Sequence, residues 1–216
     1  MSLDDEKRRA ATTAAELIES GTRVGLGTGT TVAYLLEAIA QRGVTARYVA
    51  TSPETEDAAR ALGLTVEPFD SLDELDLAID GTDQIAPDGW LVKGRGGAHL
   101  REKIVAASAR RFVVIADSSK PVTKLHAPVP LELRPFGLRA TLRELGSVTL
   151  RDAPPTPDGG VLADFHGEFN GAVELSARFA ATPGVAAHGL FAPDLVSEII
   201  VATGKTVTTT TLGGRL

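Results

Sequence analysis

The 216-residue chain contains no cysteine, which excludes disulfides and thiolate metal sites. Its four histidines, His99, His126, His166 and His188, are scattered without HxH or HxxxH spacing, so no metal is expected. No apolar run approaches the roughly 18 to 20 residues of a membrane span. The N-terminal run Asp4, Asp5, Glu6, Lys7, Arg8 has no signal-peptide core, so a cytoplasmic location without membrane association is expected. A formal net charge of -6 argues against nonspecific nucleic-acid binding, although a local positive patch at a phosphate site is compatible with it. Internal repeats and low-complexity segments are lacking too. What is there is a chain 43% hydrophobic, long enough for one large or two small domains with a real core.

The densest chemistry lies between Ile79 and Val105. Asp80-Gly81-Thr82-Asp83-Gln84 is followed by Lys93-Gly94-Arg95-Gly96-Gly97, and then by Leu100-Arg101-Glu102-Lys103-Ile104-Val105. Carboxylates, an ammonium and a glycine loop are what proton abstraction beside a carbonyl needs: a base, groups to hold hydroxyls, and donors for the developing oxyanion. Leu75 to Ile79 reads as a buried strand ending at Asp80. The turn Ala86-Pro87-Asp88-Gly89 folds Ile85 back against Trp90-Leu91-Val92, which sets Asp83 roughly opposite Lys93. The glycines then permit a loop whose following helix aims free N–H groups at the same edge. Glu102 falls in that helix's first turns among small apolar neighbours, with no Lys or Arg spaced to pair with it along the helix, a setting that can raise a carboxyl pKa and suits a base. Each residue alone also has a plain reading: Glu102 complementing the helix dipole, Lys93 solvated, His99 structural, Trp90 packing.

A second glycine element, Val24-Gly25-Leu26-Gly27-Thr28-Gly29-Thr30-Thr31, joins a strand over 22 to 26 to a helix with Val32, Leu35, Leu36 and Ile39 on one face. Its backbone N–H groups and threonine hydroxyls suit a phosphate. It is not a dinucleotide fingerprint, because residue 30 is Thr where GxGxxG needs glycine, and it lacks the P-loop lysine.

Strands near 22 to 26, 45 to 50, 75 to 80 and 111 to 116 alternate with helices at 4 to 20, 30 to 42, 53 to 62 and 98 to 110. That pattern predicts an α/β, Rossmann-like three-layer domain with a mainly parallel sheet, binding ligand beyond the strands' carboxyl ends. After Pro121, Pro128 and Pro130 the pattern changes. Strands at 129 to 134, 147 to 151 and 161 to 166, with helices at 138 to 145 and 172 to 179, predict a smaller α+β domain.

These segments together resemble ribose-5-phosphate isomerase of the A type. The likeness rests on GLGTGTT, the DGxD of Asp80 to Asp83, the KGxGG of Lys93 to Gly97 and the LREKIV of Leu100 to Val105. It continues through Thr51-Ser52, Asp117-Ser118-Ser119-Lys120, Pro130 to Pro135, Thr182-Pro183-Gly184-Val185 and Gly189-Leu190-Phe191. The chain departs from the family with Gln84 for Glu, Arg95 for Gly and Val161 for Asn. The resemblance implies that Glu102 moves the proton between C1 and C2 through a cis-enediolate, Asp80 and Asp83 act in catalysis by binding sugar hydroxyls and helping proton movement at oxygen, and Lys93 with Gly94, Arg95 and Gly96 stabilises the enediolate. It further implies that Thr28, Gly29, Thr30 and Thr31 hold the phosphate with Lys120 and Lys7, while Gly81 and Thr82 line the sugar site. It implies no cofactor, a sugar-phosphate substrate, a homodimer or homotetramer, and domains at 1–126 with 203–216 and at 127–202. The readings kept beside it are a related sugar-phosphate isomerase or deaminase and a sugar-phosphate sensor, which would share the phosphate loop but not need Glu102.

Overall fold

The computed structural model describes residues 2 to 214. In chain order the elements are α1 (Leu3–Ala15), β1 (Arg23–Leu26), α2 (Thr30–Arg42), β2 (Arg47–Ala50), α3 (Pro53–Ala61) and β3 (Leu75–Asp80). There follow β4 (Gln84–Ile85), β5 (Leu91–Val92), α4 (His99–Ser108), β6 (Ala109–Asp117), β7 (Val129–Leu133), α5 (Leu138–Leu145) and β8 (Val148–Leu150). The last are β9 (Val161–Phe165), α6 (Ala172–Ala181), β10 (Val185–His188), β11 (Leu190–Phe191), β12 (Glu198–Thr203) and β13 (Thr206–Thr211). They form two compact units, one of residues up to Thr82, Arg101–Lys120 and Pro193 onward, the other of Asp83–Leu100 and Pro121–Ala192.

The first unit is built on a six-stranded sheet in the order β13-β12-β6-β3-β1-β2. All its pairings are parallel except that of β12 with the edge strand β13. Phe112 to Ala116 in β6 and Leu77 to Ile79 in β3 are buried without alternation, as strands covered on both faces must be. Helix α1 begins at a reciprocal capping box between Ser2 and Asp5 and buries the alanines 10, 11, 14 and 15. Those four recur at helical spacing, and their small side chains let the helix lie close to its neighbours. It stops five residues short of the expected Ser20. The N–H groups of Leu17 and Ile18 turn to carbonyls three residues back, and the Arg42 guanidinium bonds the carbonyls of Ala15 and Ile18, so the helix end is satisfied without further turns.

The second unit holds a four-stranded antiparallel sheet, β10-β7-β9-β8, and a three-stranded one, β11-β5-β4. Val129, Leu131, Leu133, Phe165 and Phe179 form the heart of its core. Phe165 and Phe179 meet edge to face at 5.1 Å. The expected hairpin is present, with Gln84 opposite Val92 and Ile85 opposite Leu91. The division of the chain nevertheless differs from the one expected at 126/127 and 202/203. Residues 83 to 100 go with the smaller unit because β5 takes β11 as its second neighbour. Residues 193 to 202 go with the larger one because β12 pairs with β6.

Candidate active site

In the first unit, β1, β2, β3 and β6 run parallel, so the loops after Leu26, Ala50, Asp80 and Asp117 emerge at one edge, the carboxyl edge at which open α/β sheets bind ligands. The loop from Gly27 to Gly29 feeds α2, and this helix differs from its neighbours. α1 and α3 carry serine caps, Ser2 and Ser52, and acidic residues in their first turns. α2 has Gly29 at its cap, with φ 124°, no side-chain cap and no first-turn acid. Among the described residues no acceptor takes the N–H groups of Thr30, Thr31 or Val32. An uncapped helix start free of negative charge is a place for an anion. Thr31 is buried and Thr30 exposed.

Thr28 is otherwise engaged. Its N–H donates to Asp80 Oδ1 at 3.2 Å, and its hydroxyl shares hydrogen bonds with Thr51 at 2.9 Å and Thr55 at 3.3 Å. Thr55 in turn donates to the Gly27 carbonyl. The loop is therefore tied down by β2's extension and α3, and one of its amides, with that of Gly81 at 2.7 Å, fixes the Asp80 carboxylate. Asp80 is 3% exposed, and the space it fills is the space a side chain at Gly27 would need. Thr51 enters the sequence reading only as part of the Thr51-Ser52 match and Thr55 not at all, because both brace a loop more than twenty residues away.

Glu102 stands in the first turn of α4 and is 4% exposed. One turn on, Val105 lies where a Cβ on Gly25 would fall, 2.3 Å from its Cγ1. Glycine in β1 thus lets α4 settle against the sheet. The adjoining Lys103 is depressed to about 7 by burial. Lys120 closes a turn in which its N–H reaches the Asp117 carbonyl, Ser119 bonds Asp117, and the buried Glu6 accepts from Ser118 N–H at 2.9 Å and Gly204 N–H at 2.7 Å. A hydrogen bond from the Ser118 side chain, followed by those from the Gly204 and Ser118 backbones, holds the Glu6 carboxyl below its ordinary value. Lys7, expected near the phosphate, is paired with Asp4 at 3.1 Å on α1.

In the second unit the hairpin brings the backbones of Asp83 and Lys93 side by side: Asp83 N–H donates to Val92 O. Lys93 is 2% exposed; its N–H donates to Gly189 O and its ammonium sits 5.4 Å from the centre of the Phe191 ring. Asp83 accepts from the Arg95 N–H at 3.0 Å. The Arg95 guanidinium lies 3.6 Å from the same carboxylate with its side chain 83% exposed, a pairing worth little in water. Gly94 has φ 107°, and its missing Cβ leaves room for His99, which is fully buried beneath it. The structural reading of His99 fits that position. Gln84 exchanges hydrogen bonds with the His126 backbone and so ties the hairpin to the segment before β7. A cavity of about 270 Å³ beside the loop is bordered by Asp83, Gln84, Arg95 and His126.

Residues 47–206 match the family described as ribose 5-phosphate isomerase A (phosphoriboisomerase A). The chain belongs to this family. A ribose-5-phosphate isomerase A of Nitrobacter hamburgensis is 42% identical over 211 residues, covering 88% of this chain and 91% of the relative. The crystal structure of ribose 5-phosphate isomerase A from Neisseria gonorrhoeae superposes with TM-score 0.92 at 30% identity, covering 97% of each chain. A D-ribose-5-phosphate isomerase solved in complex with phospho-erythronic acid gives 0.91 at 30% identity, covering 98% of this chain and all of that one. The mainly parallel sheet with its flanking helices and antiparallel sheets is the fold of these structures. Family membership makes this an aldose-ketose isomerase that interconverts ribose 5-phosphate and ribulose 5-phosphate, and it sets the sensor reading aside. No helix of the described residues is long and apolar enough to cross a membrane.

Proposed function

We propose that Glu102 is the base of the isomerase, taking the C2 proton of the open-chain aldose and returning a proton to C1 of the enediolate. The observation that carries this is its setting: a carboxyl 4% exposed in the first turn of a helix seated by the glycine of β1. One carboxyl serves both carbons because they are adjacent and the cis-enediolate is planar. Asp80, with Gly81 and Thr82 beside it, binds sugar hydroxyls, and Asp83 does the same from the hairpin. Lys93 and the loop Gly94-Arg95-Gly96 supply positive charge and N–H donors to the enediolate oxygen. Gly29, Thr30 and Thr31 take the phosphate on the α2 N-terminus, with Lys120 adding charge. Thr28 serves this site by holding Asp80. In this reading the Lys93 ammonium neutralises the enediolate, so the chemistry needs no metal.

Proton NMR in D2O tests the reaction: ribose 5-phosphate should yield ketose carrying solvent deuterium at C1. Glu102→Gln should keep substrate affinity and lower kcat by about 10² to 10⁴, the usual worth of a general base. Normal turnover in that variant would remove Glu102 from the mechanism. Phospho-erythronic acid, whose carboxylate stands in for the two enediolate oxygens, should compete with substrate here as well. We also propose a cytoplasmic homodimer or homotetramer that binds no nucleic acid, its assembly to be read by light scattering.

A further inference from the structure

Arg151 follows β8 and lies 57 residues from Gly94. Its guanidinium bonds four acceptors. Nε and Nη2 make a two-pronged pair with Asp164 of β9, at 2.8 and 2.7 Å. Nη1 donates to the carbonyls of Gly94 and Arg95, both at 3.0 Å. The base of this clamp is rigid, because Arg151 N–H donates to Leu162 O and Asp164 lies within the β7-β9-β8 ladder. The arginine and aspartate side chains are only 18% and 22% exposed.

The two carbonyls decide where two amides point. A trans peptide is planar, with its N–H directed opposite its C=O, and Ala127-Pro128 is the one cis bond among the described residues. The Gly94-Arg95 peptide is held at both ends, its carbonyl by Arg151 and by the Gly97 N–H, both at 3.0 Å, and its N–H by Asp83 at 3.0 Å. The next peptide is held at one end only. Its carbonyl goes to Arg151, while the Gly96 N–H has no acceptor among the described residues, and Gly96 is exposed. A donor left open and aimed by a fixed carbonyl is the form an oxyanion site takes.

We infer that Arg151, locked by Asp164, is a positioning residue for the isomerisation, orienting the Gly96 N–H toward the oxygen that becomes negative in the enediolate. It touches no substrate; it acts through the loop. The inference rests on the reading that the loop from Lys93 to Gly96 stabilises the enediolate. Arginine is required because a planar fork spans two carbonyls and a carboxylate at once, which a lysine ammonium does not.

Three variants test it on ribose 5-phosphate. Arg151→Lys keeps a cation beside Asp164 and hence the fold, but releases the loop. kcat should fall about 10- to 100-fold, the scale of an ångström's misplacement, with KM changed less than about threefold. Arg151→Met combined with Asp164→Leu removes both charges together, so thermal stability should return toward wild type while kcat stays low. A merely structural pair would show turnover recovering with stability, and wild-type kcat in either variant overturns the inference. Lys93→Ala separates the two layers of the argument. If it loses turnover while the Arg151 variants keep theirs, the positioning role falls alone; if all three turn over normally, the loop reading falls with it.

Discussion

Replacing Gly27 by alanine should cost turnover through Asp80, and the size of the effect follows from the packing. A Cβ at position 27 would stand 1.8 Å from Asp80 Oδ1, 1.9 Å from its Cγ and 2.5 Å from its Cβ, where real Cβ contacts essentially never fall under 3.0 Å. The closest atom must therefore retreat by at least about 1.2 Å. Because the Asp80 Cβ is itself too close, turning the carboxylate does not clear the overlap, and the loop or the end of β3 has to shift. Overpacking of this kind costs about 1 to 3 kcal/mol, or about 2 to 4 °C in melting temperature for each kcal/mol in a chain of this size. If Asp80 holds substrate as proposed, a displacement of its carboxylate near 1 Å costs about 100-fold in kcat, equivalent to about 2.7 kcal/mol in the barrier. The assay is steady-state turnover of ribose 5-phosphate alongside calorimetric melting. Ile39→Val serves as control. Ile39 is 1% exposed in the α2 core and should lose about 0.5 to 1.5 kcal/mol of stability with kcat unchanged. A folded Gly27→Ala protein with kcat within twofold of wild type would refute the link between the loop glycine, Asp80 and catalysis.

Two further outcomes follow from the first unit. Thr31→Ala and Lys120→Ala should each raise KM for ribose 5-phosphate at least about 10-fold, the loss of one charge-assisted hydrogen bond of about 1.5 to 3 kcal/mol, and leave the slow turnover of unphosphorylated ribose where it was. Equal losses on both sugars would move the phosphate elsewhere. Glu6 supplies a pH signature. Hydrogen bonds from Ser118 and Gly204 lower its folded pKa below the ordinary 4.5, so its stabilisation is complete above 4.5 and is lost as pH falls through the folded value. The melting-temperature gap between wild type and Glu6→Gln should be widest near pH 6 to 7 and close below pH 4.5. A gap that persists unchanged into acid would show that the carboxylate's charge is irrelevant.

The strands and helices of the larger unit are legible wherever burial writes an uninterrupted apolar run or a 3.6-residue period. α2 begins and ends where the pattern places it, helped by Gly43, which closes it in a left-handed turn, and in the smaller unit α5 does the same. β10 and β11 are not legible as strands: four and two residues long, they carry no period, and their existence depends on β7 and β5 as partners. The same dependence moves the domain limits. Nothing within residues 198 to 203 says that their neighbour in the sheet is β6, some eighty residues earlier.

The proposed site is legible as chemistry and illegible as bracing. Asp80, Asp83, Lys93 and Glu102 announce themselves because carboxylates and a lysine cluster beside glycines at strand ends, where an isolated charge has no structural reason to be buried. Their supports have no such signal. Thr28 reads as a phosphate ligand from its place in GLGTGTT, yet its N–H and hydroxyl are spent on Asp80, Thr51 and Thr55, partners 52, 23 and 27 residues away. The glycines of that loop show why its mismatch with GxGxxG is informative. Gly25 in β1 and Gly27 just past its end each leave room for one group: Val105 on the helix that carries Glu102, and the Asp80 carboxylate. Only Gly29 is set by backbone conformation, at φ 124° where α2 starts. A dinucleotide loop uses its third glycine for close helix packing; here the close packing is at the first glycine, Gly25, against Val105 of α4, and position 30 is a threonine on the uncapped start of α2.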